Sequence, residues 1–131
     1  MIRIFIFICM VFCHIVDDYY LQGQLAQLKQ KQWWKEHTDN ELYKYDYLMA
    51  LFMHSFSWAF MIEAPIIVYW AWMDMFSAIR LGIYTIALVA NIVCHFYVDN
   101  LKANERTINL VDDQLMHLAQ ITITCGFLTY V

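Results

Sequence analysis

The feature that most limits how this chain can fold is the length of its apolar blocks. Ile2 to Tyr20 runs through Ile, Phe, Val, Met and Cys, with Arg3 as its only charge before Asp17. At 1.5 Å of rise per residue, about 20 such residues are enough to cross the hydrocarbon of a bilayer. Comparable blocks recur at about 45–62, 77–97 and 108–130. The chain is 62% hydrophobic and 15% charged, against about 25% charged in soluble domains. One proline and three glycines leave little material for a loop-rich sandwich or for disorder. These observations predict an all-α, polytopic membrane helical bundle of about four transmembrane helices, built as one domain over residues 1–131.

The connections admit more than one form. Residues 22–44 hold Leu25 and Leu28 at helical spacing from Leu21, followed by Trp33-Trp34. They fit either a short amphipathic helix on the membrane surface or a polar connector containing a short helix. Glu63-Ala64-Pro65 interrupts the second block. Residues 65–75 then form an interfacial helix or a bent continuation of the span, with Trp58, Tyr69, Trp70 and Trp72 as an aromatic belt. Arg3 ahead of an apolar core is also found in secretory signals, but no small-residue cleavage site follows. The block reads as a retained first span.

Charge gives an orientation. Lys29, Lys31, Lys35, Lys44, Lys102 and Arg106 lie in the loops of one side, against Arg3 and Arg80 on the other. The positive-inside rule places those loops in the cytoplasm and both termini outside, in a multi-pass protein of the cell (inner) membrane. A net charge of −4 and the lack of a basic stripe argue against nucleic acid as a partner. The expected partners are membrane lipids, with a homo-oligomer or another membrane protein as further options. Cys9, Cys13, Cys94 and Cys125 sit in apolar runs without C-x-x-C spacing and read as buried small residues. A ligand or redox role stays open for Cys13 and Cys94, which each precede a histidine.

Ionisable residues inside apolar blocks are costly, and by default they mark function. His14 and Asp18 stand four apart, as do His95 and Asp99, and the pair recurs reversed as Asp113 and His117. In the predicted topology each carboxylate lies nearer the cytoplasm and each histidine about 6 Å deeper, one helical turn away. His54 on the second span falls near the same level. A divalent ion would reconcile these groups with low dielectric. Mixed N/O ligation without thiolate suits Zn, Mn or Fe better than Ca or Mg. The candidate ligands are His14, Asp18, His54, His95, Asp99, Asp113 and His117, enough for one ion or two, with some of them orienting others. The bland alternative is interhelical hydrogen bonding. A motif aspartate left free, Asp18 or Asp99, would act as general base. Lys102 would pair with Asp99 or receive an anionic group, with Gln22 beside it at the mouth. His37 lies in the polar loop and has no assigned role, and Asp17 and Asp112 are expected to face solvent or headgroups.

On these residues the chain resembles a family of small bacterial and phage integral-membrane proteins grouped as a domain of unknown function. The shared pattern is H-x-x-x-D-[aromatic]-x-L-Q, a mid-helix histidine, H-x-x-x-D-x-x-K and D-Q-x-x-H. It falls on His14, Asp18, Tyr19, Leu21 and Gln22; on His54; on His95, Asp99 and Lys102; and on Asp113, Gln114 and His117. Tyr19 stands where the family usually has phenylalanine. The resemblance implies a membrane protein and supplies no activity. More distantly, the chain is similar to membrane-bound metal-dependent hydrolases with His and Asp in their spans. The expected function is therefore metal-dependent hydrolysis of a lipid-linked or headgroup substrate. The alternatives are a metal-ion or proton conduit, disfavoured because the outer half offers only Glu63, Asp74 and Arg80, and a phage or host membrane interactor with a structural site.

Overall fold

The computed structural model describes residues 1–131 and contains helices and no strand. Helix α1 (Ile2–Ile15) continues directly into a π-helical stretch, Val16–Leu21. Gly23 at φ +50° then turns the chain, a conformation that a Cβ would strain. Two short helices follow, α2 (Leu25–Leu28) and α3 (Lys31–His37), and a 3-10 turn at Glu41–Tyr43. The long helices are α4 (Asp46–Trp72), α5 (Ala78–Asn100, continued by a π-helical stretch Leu101–Glu105) and α6 (Leu110–Tyr130). Their starts are encoded locally. Ser77 Oγ accepts from the Arg80 amide, and Asn109 with Asp112 forms a capping box on α6.

Three helical segments are long and apolar enough to cross a membrane: Ile2–Leu21, Glu41–Trp72 and Ala78–Glu105. The fourth block, α6, has 21 residues and is about 31 Å long. Its first three turns carry Asp112, Asp113, Gln114, His117 and Gln120, which makes it less apolar than the other three. Large apolar side chains point away from the protein along these helices, among them Phe5, Ile8 and Phe12 on α1 and Ile86, Val89 and Val93 on α5. A membrane location is compatible with such faces.

Helix α4 is the centre of the assembly. It packs against α1, α2, α5 and α6, while α1 and α5 also meet α6. Its inner face repeats every three or four residues through Tyr47, Ala50, Leu51, His54, Trp58, Ile62, Ile66 and Trp70, all buried. The part of this face from Trp58 to Trp70, with Ile6, Met10, Tyr84, Ile121, Cys125 and Leu128, forms the apolar core, which fills the half of the bundle away from the 22–44 connector. One open alternative is decided here, in favour of a continuation of the span, and one expectation changes. Residues 63–72 continue α4 through Pro65, whose missing N–H leaves the Met61 carbonyl without its helical donor. The aromatic belt is smaller than expected, because Trp58 and Trp70 are fully buried and only Trp72 is openly exposed. Steps of four residues (58, 62, 66, 70) keep those two indoles on the inner face.

The 22–44 segment is a connector with two short helices, folded over the open end of the bundle. Asn104, beyond the end of α5, ties it down by accepting from the Lys31 amide at 2.7 Å and donating to the Lys29 carbonyl at 3.1 Å. Trp34 Nε1 donates to the Leu28 carbonyl at 2.8 Å.

Candidate metal centre

The polar residues expected at one depth do converge, and the helix ends explain how. On α1 and α5 the H-x-x-x-D motif runs up to, or into, a π-helical stretch. A π turn advances fewer degrees per residue than an α turn and is frequent at functional sites. On α1 it swings Asp17 inward together with Asp18. Asp17 is therefore not at solvent or headgroups as expected. It is 1% exposed, accepts from Ser57 Oγ at 2.6 Å and has Oδ2 3.7 Å from His54 Nδ1. Asp112 does lie outside, within the α6 cap.

His54 is the hub. Its Nε2 lies 3.1 Å from His95 Nε2, 3.2 Å from Asp99 Oδ2 and 3.3 Å from Asp18 Oδ1. Gln22 Nε2 approaches the same atom at 3.0 Å. On the other side of Asp99, Oδ1 is 3.5 Å from His117 Nε2 and 3.7 Å from His95 Nε2. His117 Nε2 also faces Asp113 Oδ1 at 3.3 Å. Four ligand atoms around a tetrahedral ion with bonds of about 2.0–2.1 Å lie about 3.3 Å from one another. The observed spacings scatter around that value. Two groups of three can hold a metal ion: Asp18, His54 and His95, and His95, Asp99 and His117. The two oxygens of Asp99 face different histidines, which is how a carboxylate bridges two positions. Asp18 Oδ1 and His117 Nε2 are buried without a hydrogen-bond partner, as free ligand atoms would be.

The imidazole planes are held by packing. Trp58 stacks on His95 at 4.1 Å between centroids and 18° between planes, and His95 stacks on His117 at 4.3 Å and 29°. Trp58 Nε1 also donates to His14 Nδ1 at 2.7 Å. An indole nitrogen is only a donor, so His14 carries its proton on Nε2, which meets Gln114 Oε1 at 3.0 Å. With both ring nitrogens engaged, His14 lies beside the two candidate groups rather than within them. Asp113 is likewise peripheral, bound to Lys102 at 2.5 Å and to Gln114 at 3.0 Å.

Lys102 thus pairs with Asp113 instead of Asp99, because the turn into α6 brings that carboxylate within its reach. Asp99 takes its partner from the connector, where Lys29 reaches in from the end of α2. Four buried carboxylates (Asp17, Asp18, Asp99, Asp113) therefore meet two lysines. The two negative charges left over are costly in low dielectric, and one divalent cation, two imidazolium groups or protons on two of the carboxyls would balance them. A cleft of about 260 Å³ opens onto this cluster between Asp18, Gln22, Lys29, Asp99, Lys102 and Gln114. No cysteine belongs to either candidate group; Cys94 is exposed and Cys13 is half-buried. His37 stacks on Trp33 outside the site.

Five participants were given no role in the site from the sequence: Asp17, Lys29, Ser57, Trp58 and Gln114. Only Gln114, inside D-Q-x-x-H, and Trp58, one turn from His54, carried a usable signal. The fold and site together define an all-helical bundle with a buried His/Asp cluster at one end. No protein-family model matches the chain, and no curated protein or solved structure matches it.

Proposed function

We propose that this chain is a multi-pass protein of the inner membrane whose His/Asp cluster binds a divalent transition metal and hydrolyses a lipid-linked or headgroup substrate. The observation that carries this reading is the convergence of Nε2 of His54, His95 and His117 with Asp18 and Asp99 at spacings of 3.1–3.7 Å. In this proposal α6 is the fourth span, since it packs along α1 and α5 and turns Ile123 and Phe127 outward. The lysine-bearing connector faces the cytoplasm, both termini lie outside, and the motif resemblance to small bacterial and phage membrane proteins is part of the same reading. The metal is Zn, Mn or Fe, as one ion or as two sharing Asp99.

A bound ion of this kind lowers the pKa of water and polarises a phosphoryl or acyl oxygen. The protein's own groups divide the remaining tasks. Asp99, enclosed by three imidazoles, serves as ligand. Asp18, at the cleft, accepts the proton where a single ion sits on His95, Asp99 and His117 and leaves its Oδ1 free. Gln22, Lys29 and Lys102 line the mouth and hold an anionic headgroup. The test is metal content after gentle detergent extraction, wild type beside the His54→Ala, His95→Ala double variant. Near-stoichiometric metal in the first and loss in the second are expected; equal content in both would overturn the assignment.

A second reading, a metal-ion or proton conduit, is favoured by one observation. Beyond the histidines, hydrogen-bonded polar side chains continue through the half-buried Gln120 and the buried Asn91 and Thr124 to Glu63, where the sequence suggested no mid-depth chain. Metal uptake into proteoliposomes would support a conduit and count against a hydrolase.

A further inference from the structure

Glu63 lies nine residues beyond His54 on α4, about 14 Å deeper into the bundle, and is completely buried. Its Oε1 accepts from Asn91 Nδ2 at 2.6 Å. The same Asn91 nitrogen donates to Thr124 Oγ1 at 3.0 Å. Asn91 Oδ1 accepts from Gln120 Nε2 at 2.8 Å and from Thr124 Oγ1 at 3.2 Å. Glu63 Oε2 has no partner. The titratable group facing it from α5 is the buried phenol of Tyr84; α6 presents Thr124 and Gln120, and the core on the α1 side is Ile6 and Met10. No Lys, Arg or His pairs with this carboxyl.

We propose that Glu63 is a second site of this protein, a membrane-embedded carboxyl whose ligand is a single exchangeable proton. A bare carboxylate without a cation would be prohibitively costly at this depth, so something must neutralise it. A metal cation is the poorer occupant. Asn91 Oδ1 already accepts two hydrogen bonds and Thr124 Oγ1 accepts one, which leaves few free lone pairs for a coordination shell. Of the other unpartnered polar atoms of this half, Trp70 Nε1 is only a donor and Tyr84 OH offers a cation at most one oxygen. A proton on Oε2 needs no shell and leaves the Asn91 bond intact. The site stands apart from the histidine cluster, and its existence does not depend on what that cluster binds.

Dicyclohexylcarbodiimide reacts with protonated carboxyls in apolar surroundings, so the wild-type protein in lipid nanodiscs should acquire an adduct at Glu63 near neutral pH. The adduct should be absent in Glu63→Gln, fall at least ten-fold at strongly alkaline pH, and be unaffected by sodium. Protection by sodium would overturn the proposal in favour of a cation. Infrared difference spectra decide the matter if the reagent does not reach the site. A carboxylic-acid carbonyl band, present in wild type, missing in Glu63→Gln and shifted in D2O, is expected. Absence of that band, or a band that D2O never shifts, refutes an exchangeable proton.

Discussion

Replacing Asp99 by Asn keeps the shape of the side chain while removing its charge and one of its two oxygens, so it separates two roles of the same residue. Without metal, Asp99 is the counterion of Lys29, whose side chain is only 12% exposed. Breaking a buried pair by removing one partner costs about 3–5 kcal/mol. The lower end applies here, about 3 kcal/mol, because the Lys29 ammonium borders the cleft and can turn toward water. With metal, the variant loses the carboxylate that both candidate groups of histidines face. An affinity loss of about 100-fold corresponds to about 2.7 kcal/mol. If wild type is measured at a free metal concentration of about 1,000 Kd, bound metal stabilises it by about 4 kcal/mol, and the variant at the same concentration by only about 1.4 kcal/mol. Equilibrium unfolding in mixed micelles, with and without added Zn, measures both quantities on the same samples. A variant that loses apo stability yet keeps the full metal-induced gain would refute Asp99 as a ligand and leave it as an ion-pair partner only.

Asp17→Asn should leave the fold intact and weaken metal binding about 10–100-fold, since Asp17 is the carboxylate that His54 Nδ1 faces, at 3.7 Å, the place of an outer carboxylate behind a ligating histidine; competition with a chromogenic chelator reads this out. Trp58→Phe keeps a ring against His95 but strips His14 Nδ1 of its donor, a loss of about 1–3 kcal/mol. Trp58→Ala should cost about 3–5 kcal/mol, and both are measurable by unfolding of the metal-free protein. Ligating imidazoles must be neutral, so metal binding releases protons and affinity rises with pH. Bound metal should therefore fall as pH is lowered through the ordinary imidazole range near 6.5, and a flat profile after equilibrium dialysis would argue against histidine ligation.

How much of this was visible in the sequence depends on whether a position was set by helix periodicity or by a turn. His54, His95 and His117 were legible because four-residue spacing against an apolar background assigns a face and a depth with no knowledge of neighbours. Asp17 was not. A regular α-helix turns it about 100° from Asp18, and only the π-helical stretch Val16–Leu21 brings both inward; nothing in V-D-D-Y-Y-L announces such a stretch. The partner of Lys102 depends on how the chain turns from the end of α5 into α6, and Lys29 reaches Asp99 across 70 residues of sequence. Such pairings follow from connector geometry, which apolar patterning does not encode. Glu63 was misjudged for a related reason. Beside Pro65 it resembles the end of a helix, whereas α4 runs on for seven residues past the proline and carries the carboxyl into the core.

What holds the cluster together, lysine or ion, can be asked by deleting a whole pair at once. Removing only Asp99 leaves Lys29 without its counterion, so lost stability by itself does not identify the element that organises the site. Lys29→Met with Asp99→Leu removes both charges, and replacing a buried pair by apolar groups of similar volume is often neutral or stabilising by about 1–4 kcal/mol. Asp17, Asp18, Asp99 and Asp113 stand against Lys29 and Lys102, so the double variant keeps the excess of two negative charges and loses only the bridging ligand. If the ion pair organises the histidines, metal-dependent stabilisation persists and the metal-free protein changes. If an ion organises them, the metal-free protein is at least as stable as wild type and the metal-dependent gain collapses. The second outcome is the expected one, because Lys29 touches a single oxygen of the cluster while Nε2 of three histidines and the oxygens of Asp18 and Asp99 form two ligand groups that share His95. Unchanged metal stabilisation in the double variant would leave the lysine as the organiser and the metal as a visitor.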